Sequence, residues 1–190
     1  MDVKTYAVVT DLCARFAGRL DDDALNSVRV HYFAGEPALA EATLLLTLAN
    51  EDIGITREEH DLIRSASDDP DLAAVRIIDQ LPPLAYRFSP TGPADAPDPA
   101  RADQVLADEA ARYGGRVLRR AWRDPLPGAP DTAKWTYLLH TDDADVLGVY
   151  AGLSGRLRVT LEERWPLEVV HTNVSPYQAA ASLAPRIWVA

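Results

Sequence analysis

The sequence predicts an α+β protein: an N-terminal antiparallel helical bundle followed by a small α/β domain with a mixed sheet of three to four strands. Apolar residues recur at spacings of three and four over the first 81 residues, which is typical of helices. Residues 82–99 contain six prolines, which interrupt regular structure. Residues 100–190 hold all four tryptophans and alternate helical patterns with runs of β-forming residues. We therefore expect domains at 1–81 and 100–190, joined by a proline-rich linker at 82–99.

Three helices are expected in the first fifty residues. The first covers residues 3–17, and its apolar face includes Cys13. The second begins at Asp22 or Asp23, which are good N-caps, and the third begins at Pro37, which suits a first helical turn. One side of the third helix carries Leu39, Thr43, Leu46 and Ala49. Because apolar residues cover so much of its surface, we expect this helix to be central in the bundle.

Two further helices complete the predicted bundle. Residues Thr56 to Glu59 have the Ser/Thr-x-x-Glu pattern of a capping box, which marks the start of the fourth helix. Asp69-Pro70 is expected to open a fifth, because apolar residues then recur at helical spacing up to Leu81. Short connections between these segments favour an antiparallel arrangement.

The second half is expected to follow the order α-β-β-α-β-α-β. Its elements are predicted at 100–113, 116–122, 134–140, 144–157, 167–171, 175–183 and 186–189. Residues 116–122 fit either a strand or a helical face. This segment and the residue after it carry a cluster of arginines: Arg116, Arg119, Arg120 and Arg123. If it forms a strand, two of them lie on each face of the sheet. We expect the cluster to pair with the acidic half of the chain. Tyr86 and Phe88 are expected to dock the linker onto one of the halves.

The net charge is −10, and the acidity belongs to the helical half. Residues 1–81 hold 16 acidic and 7 basic side chains, whereas residues 82–190 hold 13 and 12. An acidic domain repels nucleic acid and anionic membranes and favours a basic partner. The use of 17 arginines and 2 lysines is typical of a GC-rich bacterial genome. A lone cysteine, no signal peptide and no apolar run of roughly 18–20 residues predict a cytoplasmic protein.

No catalytic motif, cofactor-binding fingerprint or metal-ligand spacing is found. The four histidines, His31, His60, His140 and His171, have no partner at motif spacing, and no nucleophile elbow or phosphate loop occurs. His140 and His171 both end predicted strands, so one edge of the sheet is expected to hold them near each other. Cys13 is expected to be a buried core residue. We therefore predict no catalytic residues, no cofactor and no metal, and leave enzymatic activity open.

Residues 28–63 carry a resemblance to a known family. Their pattern is a short helix ending in Ala34-Gly35-Glu36, a Leu/Ala-rich helix, an acidic turn at Asp52-Ile53, and Ile55-Thr56 before an acidic helix start. This pattern resembles the MafI-type immunity proteins of bacterial polymorphic toxin systems, from which the chain departs by Pro37 and by its second domain. The C-terminal half is similar to uncharacterised actinobacterial proteins, which suggest no function.

The leading expectation is a non-catalytic protein-binding module, with the immunity resemblance implying that it neutralises a basic toxin. The predicted partner contacts are surface carboxylates of the helical half: Asp21, Asp22, Asp23, Glu51, Asp52, Glu58, Glu59, Asp68 and Asp69. The alternative is an enzyme or small-ligand-binding protein with a cleft between the two halves, near His140 and His171. A third possibility is a structural partner in a larger complex. Nucleic acid and membranes are not expected partners, and the oligomeric state stays open.

Overall fold

A computed structural model describes residues 3–67, 72–161 and 164–190. The chain divides into two compact units, Met1–Ala85 and Tyr86–Ala190, so the boundary lies inside the segment predicted as a linker. The first unit is helical and the second contains a mixed sheet with helices, which confirms the α+β prediction. Within the described residues, no helix is both long enough and apolar enough to cross a lipid bilayer.

The described part of the first unit contains four helices. They are α1 (Val3–Phe16), α2 (Asp22–Phe33), α3 (Pro37–Asn50) and α4 (Arg57–Ala66). Helix α1 packs against α4 and α2, and α2 packs against α3. The inward face of α1 buries Val9, Leu12, Cys13 and Phe16 at helical spacing. The cysteine is therefore a core residue, as predicted.

Helix α3 was expected to be central, but it is not, and the side that carries Leu39 and Leu46 is exposed. Its buried residues are Ala40, Leu44, Leu45 and Leu48. Leu39 and Leu46 are 49% and 61% exposed, respectively. A helix that is apolar almost all round carries too weak an asymmetry for the sequence to show which side is buried. The prediction was wrong because α3 packs chiefly on α2 and leaves its opposite side uncovered.

The predicted fifth helix is absent from residues 72–81. The main chain there is held beside the turn that precedes α4: Ile55 N donates to Arg76 O and Ile78 N donates to Ile55 O, each at 2.8 Å. These bonds make an isolated bridge between Ile55 and Ile77. Backbone groups bonded in this way cannot form helical bonds, and β-branched residues favour the extended form. The predicted start at Asp69-Pro70 lies outside the described residues.

The second unit contains five strands and three helices in its described residues. They are β1 (Tyr86–Ser89), α5 (Ala100–Ala110) with a following 3₁₀ turn (Ala111–Tyr113), β2 (Gly115–Pro125), β3 (Lys134–Thr141), α6 (Val146–Leu161), β4 (Leu167–Val170), α7 (Pro176–Ala181) and β5 (Arg186–Val189). Strand β2 is central. It pairs with β3 along one edge and with both β1 and β5 along the other, all antiparallel, and β4 joins β3 in parallel.

Strand β1 lies within residues 82–99, where the six prolines predict no regular strand. The prolines flank the run from Tyr86 to Ser89 rather than interrupt it, so its backbone can pair at a sheet edge. The rings of Tyr86 and Phe88 meet the ring of Tyr177 edge-on, with centroids 5.9 and 5.1 Å apart. Residues 86–89 are thus part of the second unit, and the sheet has five strands instead of three to four.

The two faces of the sheet differ in character. One face packs on α5 and α6 through an apolar core that includes Leu106, Trp122, Trp135 and Tyr137. The other carries α7 and buries polar side chains: Arg123, Thr136, Glu168 and Gln178. Because buried polar groups need partners, the second face depends on a hydrogen-bond network and not on apolar packing alone.

Candidate functional site

Helices α2 and α3 form a helical hairpin with a three-residue turn. Asp21 caps α2 by accepting a hydrogen bond from Ala24 N at 2.8 Å, and Asp22 and Asp23 occupy its first turn, where the helix dipole favours negative charge. Gly35 lies in the turn with φ of 76°, a conformation that glycine adopts without steric cost. The hairpin brings the start of α2 beside the end of α3, so the predicted contacts Asp21–Asp23 lie at the same end as Glu51.

The hairpin is strongly acidic and its cation points inward. Residues 22–52 contain six carboxylates and a single arginine, Arg29. The Arg29 side chain is buried and its Nη2 lies 3.4 Å from the carbonyl oxygen of Cys13. Glu36 lies just before α3, where it contacts His31 Nδ1 at 2.8 Å, and exposed Glu51 follows the helix. Negative charge therefore reaches the surface at both ends of α3, through exposed Glu36 and Glu51.

Between these terminal carboxylates, α3 exposes an apolar side, which we call the α3 stripe. It consists of Leu39, Ala42, Thr43 and Leu46, which lie on one side of the helix because they are three or four residues apart. Val30 and Phe33 on α2 are also exposed. Single exposed apolar residues are ordinary, but a row of them on one helix marks a candidate contact surface.

Glu58 and Asp52, two exposed residues among the predicted contacts, each pair with a cation of their own chain. Glu58 is 70% exposed and pairs with Arg15 at 2.8 Å, and Arg15 also pairs with Asp11 at 2.9 Å. The hydrogen bond and charge of Arg15 lower the pKa of Glu58. Asp52 pairs with Arg76 Nε at 2.8 Å, and Arg76 Nη2 also donates to the Asp52 carbonyl oxygen. A partner would have to compete for these two carboxylates.

Glu59 is not a surface contact, which corrects the sequence prediction. Its side chain is 0% exposed, its Oε1 lies 2.5 Å from Arg19 Nη1, and its Oε2 accepts from Thr56 N at 2.9 Å. Arg19 also donates to Gly54 O at 2.6 Å. Glu59 therefore closes the predicted capping box and joins α4 to the end of α1. Asp68 and Asp69 lie outside the described residues.

The arginine cluster of β2 is engaged within the second unit. Its charged partners are Asp142 for Arg116, Asp103 for Arg120 and Asp131 for Arg123. Arg119 donates to Ala184 O at 2.6 Å. The division between faces follows the prediction: Arg120 lies over Trp135 on the α5 side, and Arg123 lies on the α7 side. Pairing with the acidic half was the wrong expectation, because these partners all belong to the second unit.

A buried polar network lies beneath α7. Arg123 Nη1 donates to Tyr177 OH at 3.2 Å, and its guanidinium lies 4.6 Å from the centre of the Tyr86 ring. Glu168 accepts from Gln178 Nε2 at 2.9 Å, and Gln178 forms a capping box with Ser175. Sequence reasoning missed this network, although Ser175-x-x-Gln178 matches the capping-box pattern. Each of these two sets of buried, hydrogen-bonded side chains joins α7 to a strand of the sheet.

His140 lies on β3, and His171 directly follows the neighbouring strand β4 at the same end of the sheet. His140 on β3 is in register with Val170 on β4, and His171 is the next residue. The exposed His171 ring has its Nδ1 3.2 Å from Thr141 O. Burial, with a smaller effect of the Arg119 charge, lowers the pKa of His140. Among the described residues, no group of three or more His, Cys, Asp or Glu side chains could hold a metal ion.

The lowered pKa of His140 predicts a stability loss in acid. Its pKa in the unfolded chain is about 6.5, so protons bind the unfolded state more readily than the folded one. The stabilising contribution is therefore present above pH 6.5 and is lost as the pH falls through the lower folded value. The free energy of unfolding, measured with guanidinium between about pH 7 and pH 5, should decline less for His140→Gln than for wild type. The exposed-site variant His171→Gln is the control, and an equal decline in both variants would exclude His140 as the source.

Comparison with known proteins found no matching family model, no matching curated protein and no matching solved structure.

Proposed function

We propose that this chain is a non-catalytic, cytoplasmic protein-binding module whose helical unit captures a basic protein. The observation that carries the proposal is the acidity of the α2–α3 hairpin. Residues 22–52 contain six carboxylates and one arginine, which is buried, and one of the carboxylates, Asp52, pairs with Arg76. Charge of one sign concentrated on a rigid element raises the rate at which an oppositely charged partner arrives.

The proposed partner class is a bacterial toxin. The resemblance of residues 28–63 to MafI-type immunity proteins covers the second half of α2, all of α3 and most of α4. Nuclease-type toxins are basic because they bind nucleic acid, and an acidic inhibitor can compete for that surface. Fast capture suits such an inhibitor, since free toxin acts on its own cell.

The test measures association of the full-length chain with the product of an adjacent toxin-like gene. The expected on-rate falls steeply as salt rises to about 0.15 M, where the Debye length is about 8 Å. The double variant Glu36→Lys/Glu51→Lys should lower the on-rate by at least about tenfold at low salt. Its fold should be kept, because Glu36 makes no side-chain cap bond, its contact with His31 is exposed and of small energy, and a lysine at residue 51 suits the end of α3.

A matched control places the same charge change on the second unit. The double variant Asp95→Lys/Asp108→Lys changes two exposed carboxylates there and should leave most of the on-rate intact. Co-expression should relieve toxicity with wild type and control, and less with the hairpin variant. Binding that is insensitive to salt, or equal effects of the two double variants, would contradict the proposal, as would turnover of a small molecule without any such binding.

A further inference from the structure

The α3 stripe combines an exposed apolar centre with carboxylates at its two ends. Leu39 and Leu46 are two turns apart on one side of α3, with Ala42 and Thr43 between them. Glu36 precedes the helix and Glu51 follows it, and α3 itself contains no lysine or arginine. An apolar centre with a charged rim is the usual composition of a protein-binding surface.

We propose that the α3 stripe receives an amphipathic helix of the partner, with apolar side chains against Leu39 and Leu46 and cationic side chains near Glu36 and Glu51. This inference rests on the proposed function, because it names the structural element of the basic partner that the hairpin binds. The carboxylates then guide the approach, and the apolar contact holds the complex together.

A helix fits this surface better than an extended strand. The exposed surface belongs to a helix whose interior backbone groups are already bonded within α3, so it offers no row of free N–H and C=O groups to a strand. A helix satisfies its own backbone and can pack its side chains between those of α3. From Glu36 to Glu51 the rise is about 22 Å, which matches about four turns of a partner helix.

Charge argues against a second copy of this chain as the occupant. Two hairpins packed through their stripes would bring together the exposed carboxylates Glu36 and Glu51 of both copies, and α3 contains no lysine or arginine to offset them. Like charges brought together in an interface oppose association, whereas a cationic helix removes the repulsion. The chemistry of the surface therefore selects a basic partner.

The first experiment uses a synthetic peptide of about fifteen residues as the probe, because that length spans the stripe as a helix. Leucines occupy one side at positions i, i+3, i+4 and i+7, and lysines occupy both ends. A scrambled peptide of identical composition is its control. The full-length chain should bind the patterned peptide at least about tenfold more tightly than the scrambled one, with a gain of helical circular dichroism. Equal binding of the two peptides would overturn the inference.

The second experiment separates the stripe from the carboxylates by kinetics. Leu46→Ser should raise the off-rate of the patterned peptide about tenfold and change the on-rate little. Leu183→Ser is the matched control, because Leu183 is 89% exposed on the second unit. Glu36→Lys/Glu51→Lys should instead lower the on-rate.

The outcomes distinguish the two proposals. If Leu46→Ser leaves the off-rate unchanged while the charge variant slows association, the stripe does not hold a helix but the basic-partner function stands. If wild type forms a dimer that Leu46→Ser abolishes, a second copy occupies the stripe and the inference is wrong. If neither the patterned peptide nor any adjacent gene product binds, both proposals fail.

Discussion

Glu59→Gln should lower the free energy of unfolding of the helical unit by about 3–5 kcal/mol, although it removes only one charge. The Glu59 carboxylate is fully buried against Arg19, which is itself only 13% exposed. Glutamine keeps the volume and one acceptor oxygen for Thr56 N, so the loss comes from leaving the Arg19 cation without its counter-charge. Far-ultraviolet circular dichroism during urea unfolding measures the change.

The neighbouring glutamate supplies the control for this prediction. Glu58→Gln alters the same residue type one position earlier, in an exposed pair with Arg15, and its unfolding midpoint should stay close to wild type. The double variant Arg19→Met/Glu59→Gln should recover much of the lost stability, because replacing both charges leaves neither uncompensated. Similar midpoints for the two single variants would show that burial does not distinguish these glutamates.

Arg123→Ala should destabilise the second unit by about 3–5 kcal/mol. The Arg123 side chain is 0% exposed, lies 3.7 Å from Asp131 and 4.6 Å from the centre of the Tyr86 ring, and donates to Tyr177. Its removal opens a cavity and leaves buried polar groups without their partner. Tryptophan fluorescence reports the change in this unit, because all four tryptophans belong to it.

Two other arginine variants test the explanation. Arg116→Ala changes the same strand at an exposed residue, which is 62% exposed, and should leave the unfolding midpoint near wild type. Arg123→Lys keeps the charge but loses the planar fork, so it should remain clearly less stable than wild type. An Arg123→Ala protein that unfolds with the midpoint of Arg116→Ala would refute the role of Arg123 as an anchor.

The sequence predicted elements whose signals are local. The capping box at Thr56 placed the start of α4, and the dense β-formers from Trp135 to Leu139 placed β3. The same capping box could have separated Glu59 from Glu58, since its acidic member turns back toward the N-cap backbone. The two glutamates were nevertheless grouped as surface charges, because burial depends on what packs against α4.

The elements that sequence reasoning missed depend on distant contacts. Residues 72–81 have helical spacing, yet the backbone bonds from Ile55 to Arg76 and Ile78 hold residues 76–78 in a β-bridge. The exposed side of α3 is apolar and so is the buried one, and only the position of α2 decides between them. Strand β1 forms because its backbone pairs with the edge of β2. No sequence pattern within residues 82–99 indicates this pairing. Tertiary pairing overrides local preference in each of these cases.

The pairing of β1 and β5 along one edge of β2 also bears on the order of folding. Before that edge is complete, Val117 must pair with Val189, and Phe88 must pair with Arg123, in the β-ladder. The α2–α3 hairpin joins residues that are fewer than thirty positions apart along the chain. Long-range pairing slows folding because loops must close first. The helical unit should therefore form ahead of the sheet, and stopped-flow tryptophan fluorescence, which follows the second unit alone, should report the slower phase.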